Sequence, residues 1–149
     1  GGGQEFGRRS GTENVAWAVA FATALEHLAD KSSACANVAK LRDTFINQAL
    51  AISPSIRLTG DPRNRVAHIA SFIVEGVSGE SMLVGLEERG VVCSSGSACA
   101  AGSDKPSHVL TAMGLESDLA LSAIRFSFGY ETTAEDLEVA AQALAACLR

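Results

Sequence analysis

The run Ser94-Ser95-Gly96-Ser97-Ala98-Cys99-Ala100-Ala101-Gly102-Ser103 holds the residue with the clearest chemical potential in the chain. Its side chains are too small to bury much apolar area, so the run reads as a loop, with Cys99 carried on it within reach of solvent. As a thiolate such a sulfur is a strong nucleophile, and a loop lets one sulfur visit two places. A free cysteine without a role fits the same composition, and residue type alone does not choose. Cys35 and Cys147 fall in helical patterns and read as buried packing residues, while Cys93 at a strand end reads as structural. Cys93, Cys99 and His108 have the spacing C-x5-C-x8-H. That matches no usual zinc knuckle and leaves a fourth ligand wanting, so no metal site is expected.

Two other positions have chemical possibilities. Arg8 and Arg9 precede Ser10-Gly11-Thr12 at the expected start of a helix, where unpaired backbone N–H groups and the helix dipole favour an anion such as phosphate. No Gly-Lys-Ser/Thr follows the glycines, so this is no P-loop, and Glu13 competes for the same donors. A plain capped helix with two solvated arginines is the other reading. Arg125 stands in an alternating segment, on the face opposite Ile124, Phe126 and Phe128. A guanidinium held on a strand offers a carboxylate two parallel hydrogen bonds, a geometry lysine does not copy. A solvated charge is the alternative there.

The elements that must position these residues follow from periodicity. Residues 1 to 11 are too rich in glycine for a regular element. Ser10 and Glu13 have the spacing of a capping box, and Val15, Ala18, Val19, Ala22, Leu25 and Ala29 continue at helical spacing. Trp17, Phe21, Ala24 and Leu28 add a second apolar row, so this helix wants cover on more than one side. A second helix runs through Val38, Leu41, Phe45, Ala49 and Leu50 and stops before Ser53-Pro54. Ser55 to Thr59 and Val66 to Val74 read as strands of a hairpin joined through Gly60-Asp61-Pro62-Arg63-Asn64. Gly79 to Arg89 reads as a helix, Gly90 to Cys93 as a short strand, and Ser107 to Met113 as a short helix. Ser122 to Phe128 alternates as a half-buried strand. Thr132 with Glu135 suggests a second capping box, opening a helix through Leu137, Ala140, Ala141, Leu144 and Leu148. Helices and strands do not alternate strictly, so the expected architecture is α+β: a small mixed or antiparallel sheet with helices packed on one face.

Composition narrows the function classes. The chain has 149 residues, 47% of them hydrophobic, and a formal net charge of -5. That suits one globular domain over 1-149, burying roughly 68–70% of its unfolded surface. It lacks the positive charge that a nucleic-acid partner calls for. The apolar run from Val15 to Leu28 is interrupted by Thr23, Glu26 and His27 and falls short of the roughly 18 residues of a membrane span. Four irregularly spaced cysteines, with no signal-peptide pattern, make the cytoplasm the expected compartment. The opening glycine run reads as the interior of a longer protein.

Three segments together resemble the C-terminal portion of cysteine desulfurases, pyridoxal-phosphate enzymes of the class V aminotransferase group. They are Gly-Gly-Gly-Gln-Glu-Phe-Gly-Arg-Arg-Ser-Gly-Thr-Glu-Asn over 1–14, Ser-Ser-Gly-Ser-Ala-Cys over 94–99 with Pro-Ser-His-Val-Leu over 106–110, and Ser-Ala-Ile-Arg-Phe-Ser-Phe-Gly over 122–129 with Thr132-Thr133. The resemblance implies the C-terminal small domain of a fold type I pyridoxal-phosphate transferase. It implies that Cys99 attacks the sulfur of L-cysteine, takes it as a persulfide and leaves L-alanine. Arg125 would hold the substrate carboxylate, and Thr12 would reach the cofactor phosphate of the neighbouring subunit in a homodimer. The long form of the loop implies delivery of sulfur to an iron–sulfur scaffold protein or another acceptor. The family's Schiff-base lysine stands in a Ser-His-Lys setting, whereas Lys31, Lys40 and Lys105 follow Asp30, Ala39 and Asp104. The chain alone is therefore expected to be inactive, with its first 30 residues packing on a large domain or partner subunit. Two rival readings stay open, another class V lyase or aminotransferase such as a selenocysteine lyase, and a non-enzymatic interaction module.

Overall fold

The computed structural model describes residues 2–29, 32–95 and 105–148. It divides into two compact units, Gly1–Ser33 and Ala34–Arg149.

In the first unit the glycine-rich segment closes on itself. The Ser10 hydroxyl donates to the Gly2 carbonyl at 2.9 Å, and the Gly11 N–H donates to Gln4 Oε1 at 3.1 Å. Gly11 has φ +107°, a conformation that a residue with a Cβ adopts only with strain. Helix α1 spans Val15–Ala29. The expected Ser10–Glu13 capping box does not form, because the Ser10 hydroxyl is spent on Gly2 and the backbone is not yet helical. Asn14 caps α1 instead, its Oδ1 accepting from the Trp17 N–H at 3.1 Å. Both apolar rows of α1 are open to solvent, Trp17 at 77% and Phe21 at 67% exposure.

The second unit begins within helix α2, Ser32–Ile52. Strands β1, Ile56–Leu58, and β2, Ile69–Val74, form the expected antiparallel hairpin, with Ile56 opposite Val74 and Leu58 opposite Phe72. In its connection the Asp61 carboxylate accepts from the N–H groups of Arg63 and Asn64 at 2.7 and 2.8 Å, as its side chain favours in turns. Helix α3 spans Gly79–Glu87. A Cβ at Gly79 would lie 2.7 Å from the Leu121 carbonyl oxygen and 2.8 Å from that of Ala123.

The strand expected over 90–93 lies further on, as β3, Ser94–Ser95. Gly90, at φ +78°, and Val91 finish α3 first, with the Val91 N–H returning to the Leu86 carbonyl at 2.9 Å. Helix α4 is His108–Ala112, and α5, Ser117–Leu121, is a one-turn element that periodicity did not reveal. Strand β4 is Ala123–Ser127 and α6 is Ala134–Cys147. The capping box of α6 is displaced by one residue from Thr132–Glu135 to Thr133–Asp136, because the Thr132 hydroxyl accepts from Gly129 N–H at 2.9 Å.

The sheet runs β1-β2-β4-β3 with every pair antiparallel, an α+β fold as expected. Helices α2, α3 and α6 bury one face. Phe45 of α2 sits at its centre, ring centroids 4.7 Å from Phe126, 5.6 Å from Phe128 and 6.1 Å from Phe72. A smaller cluster of Leu110 and Ala120, from α4 and α5, covers Ile73 and Ala123 on the other face, so helices pack on both faces and not on one as expected. Among the described residues no helix is long and apolar enough to cross a membrane.

Phe45→Ala removes the shared ring of this cluster and is expected to cost about 3–5 kcal/mol. A falling urea midpoint checks it. The Thr133 backbone N–H and hydroxyl both donate to the Asp136 carboxylate and hold it below its ordinary 3.8. A carboxylate depressed by folding stabilises above its unfolded pKa and loses that contribution as pH falls through the lower folded value. Asp136→Asn is therefore expected to flatten the acid limb of stability below about pH 4, read from midpoints across acid buffers.

Candidate active site

Arg125 is placed by the alternation of β4. Ile124 and Phe126 on either side are buried, and the arginine projects from the opposite face, exposed. The register sets Ser71 of β2 on one side of it and Ser94 of β3 on the other. Directly opposed residues in an antiparallel ladder have Cβ atoms about 4.5–5.5 Å apart, so two short hydroxyl side chains flank the stem of the guanidinium. No described carboxylate forms an ion pair with Arg125, whereas Arg57 is paired to Glu75 at 2.6 Å and Arg42 to Asp43 at 2.8 Å. Arg65 is likewise engaged, donating to the carbonyls of Thr59 and Asp61. A planar two-pronged donor on a rigid strand, unclaimed by any described acid, is suited to a carboxylate ligand.

Cys99 lies outside the described residues. What is described is where its segment departs and returns. The chain leaves β3 at Ser95, the partner of Ile124, and is described again from Lys105. The pairing of Ser94 with Arg125 therefore ties the base of the cysteine segment to the arginine.

Thr12 lies in the first unit, exposed, in the irregular stretch between Gly11 and α1. Because α1 starts at Val15 and Asn14 serves its first turn, Thr12 is not at the helix end as expected. The dipole argument for an anion there loses its geometry. The Thr12 hydroxyl remains, with the exposed guanidinium groups of Arg8 and Arg9 close in sequence. These donors fit a phosphate by their chemistry.

The other cysteines divide differently from expectation. Cys35 is exposed rather than buried, since α2 enters the core only at Val38. Cys147 and Cys93 are half-buried at the margin of the core, and burial first, then the neighbouring Cys147, pushes the Cys93 thiol up to about 11. His108 is exposed at the start of α4. Among the described residues no group of three or more His, Cys, Asp or Glu side chains is placed to hold a metal ion. Ser71 and Ser94 were missed as neighbours of Arg125, because only strand register between distant segments brings them there.

The fold defines a class. A solved NifS-like protein from Rickettsia africae ESF-5 matches 99% of this chain with a TM-score of 0.85 and 28% identity, over 38% of its own length. The sequence profile described as Aminotransferase class-V matches residues 3–139, and the chain belongs to that family. It is 40% identical over 139 residues to the cysteine desulfurase NifS of Azotobacter vinelandii, covering 93% of this chain and 35% of that protein. It is 40% identical over 146 residues to an IscS-like cysteine desulfurase of Mycobacterium tuberculosis (strain ATCC 25618 / H37Rv), covering 97% of this chain and 37% of that protein. The chain thus spans about a third of the length of the curated relatives it matches.

At neutral pH Cys93 is expected to alkylate with iodoacetamide far more slowly than Cys35, and to gain rate as pH approaches 11, because the thiolate is the reactive form. Peptide mass spectrometry over time reads both sites. Equal rates at neutral pH would contradict the burial argument.

Proposed function

We propose that the whole protein carrying this chain is a cysteine desulfurase, converting L-cysteine to L-alanine and taking the sulfur as a persulfide on Cys99. The observation that supports it most is Arg125, unpaired with any described acid and bonded through the sheet to the strand that leads into Cys99. Only three residues, Gly96, Ser97 and Ala98, separate Ser95 from Cys99, a reach of at most about 14 Å when fully extended.

In this reading the two N–H prongs of Arg125 bind the substrate carboxylate and fix the direction of the substrate's Cα. The Cys99 thiolate attacks the substrate sulfur, so that an S–S bond forms as the substrate's Cβ–S bond breaks. The bonding pair stays with the carbon fragment, which takes up protons and leaves as alanine. Pyridoxal phosphate, when bound, supplies the electron sink for these steps. The Thr12 hydroxyl, with Arg8 and Arg9 nearby in sequence, would hold its phosphate, in a neighbouring subunit of a homodimer.

None of the three lysines has the Ser-His-Lys setting, so the Schiff-base lysine belongs elsewhere in the whole protein and this chain alone does not turn over cysteine. The exposed apolar rows of α1 are consistent with cover from a large domain or a second subunit. The persulfide is passed on to an acceptor, an iron–sulfur scaffold in the first instance, and the protein works in the cytoplasm.

The test uses the whole protein with pyridoxal phosphate and L-cysteine. Cys99→Ser is expected to abolish sulfide release and the added sulfur atom on that residue. Arg125→Lys keeps the charge but loses the fork, and is expected to raise KM for cysteine roughly 10–100-fold, the worth of a lost hydrogen bond to a charged group. Alanine formation with no sulfur on Cys99 in the wild-type protein would overturn the reading.

A further inference from the structure

A second set of reactive side chains lies at the opposite end of α2 from the turn that leads to β1, and the desulfurase reading makes no use of it. A cavity of about 290 Å³ is lined by Cys35, Val38, Ala67, His68, Phe128, Gly129 and Tyr130. Three segments build it. Cys35 and Val38 are one turn apart on α2, so both face it from the same side. Ala67 and His68 lead into β2, and Phe128 to Tyr130 follow β4. The Phe128 N–H donates to the His68 carbonyl at 2.9 Å, which locks those two segments together. Val38, at 3% exposure, and Phe128, at 9%, belong to the core, so the apolar wall is fixed in place.

On this wall sits a thiol with a hydrogen-bonding neighbour. Cys35 Sγ and Tyr130 Oη are 3.8 Å apart. The phenol is held above its ordinary value of 10.0, chiefly by its hydrogen bond to Cys35, so it keeps its proton where a thiolate would need a donor. The His68 imidazole lines the same cavity, and among the described residues no Asp, Glu, Lys or Arg does. Its volume is at the small end for ligand pockets, about 300–1,000 Å³. The occupant this describes is compact, uncharged and reactive toward sulfur.

We propose that Cys35 is a thiolation site, at which a compact uncharged disulfide exchanges to leave one half of itself seated against Val38, Ala67 and Phe128. The step is thiol–disulfide exchange. The Cys35 sulfur attacks one sulfur of the reagent, a new S–S bond forms, and the reagent's own S–S bond breaks. Cys35 is oxidised, the departing half is reduced, and it leaves with the proton that Cys35 gave up. The Tyr130 hydroxyl, beside the Cys35 sulfur, steadies its thiolate form for the attack, and His68 lines the same cavity. The modification reverses with excess thiol.

The test treats the whole protein with 2-hydroxyethyl disulfide, and in parallel with glutathione disulfide, which is larger and charged. Rates at Cys35 come from peptide mass spectrometry and are divided by those of the same reagent on the urea-unfolded protein. The expected result is acceleration in the folded protein with the small reagent, and none with glutathione disulfide. Tyr130→Phe should slow the small reagent about tenfold, the worth of one hydrogen bond to a charged sulfur. Ala67→Leu should slow it by filling the cavity, with circular dichroism showing the fold retained in both variants. Equal normalised rates for the two reagents, a folded rate no greater than the unfolded one, or unchanged rates in both variants would overturn the proposal.

Discussion

The alternation of β4 is the constraint on which the rest of the second unit depends. Ile124, Phe126 and Phe128 enter the core around Phe45, and the same pleat turns Arg125 outward. Strand side chains repeat every second residue, so a slip of one position would exchange the two faces, burying a guanidinium and exposing three large apolar side chains. Burying an unpaired charge is among the costliest errors a fold makes. The aromatic cluster therefore does two jobs at once, joining α2 to the sheet and setting the direction of the arginine. The outward aim of Arg125 and the packing of the core are here the same interaction seen from two faces.

The short edge strand β3 extends that logic to the cysteine segment. Its two residues, opposite Arg125 and Ile124, are the last described ones before Cys99 in the sequence. The Schellman-type ending of α3 at Gly90 and Val91 delays the start of the strand until Ser94. Position in the ladder is how the fold relates Ser94, five residues before Cys99 in the sequence, to the arginine.

Much of this was legible in the sequence where the signal is local and periodic. The Ile124, Phe126, Phe128 alternation announced both β4 and the outward face of Arg125, and Ser53-Pro54 marked the end of α2. The misplacements came where two nearby residues compete for one role. Ser10 and Asn14 both suit a helix cap, and the hydroxyl of Ser10 was drawn to Gly2 through a turn that only Gly11 permits. Thr132 and Thr133 compete in the same way, decided by the Gly129 N–H. Cys35 looked buried because its spacing is helical, but spacing does not say where a helix first meets its sheet. The flanking of Arg125 by Ser71 and Ser94, and the meeting of Cys35 with Tyr130, join residues far apart in sequence, and no local pattern carries that information.

The contact at Gly79 reaches further than its size suggests. The first turn of α3 presses on the carbonyl oxygens of Leu121 and Ala123 so closely that even a methyl group would collide with immobile backbone. Those two carbonyls bracket the entry to β4. The start of α3 and the entry to β4 thus meet backbone to backbone, with no room for a side chain between them. At position 79 a hydrogen atom in place of a side chain is what lets the two elements meet.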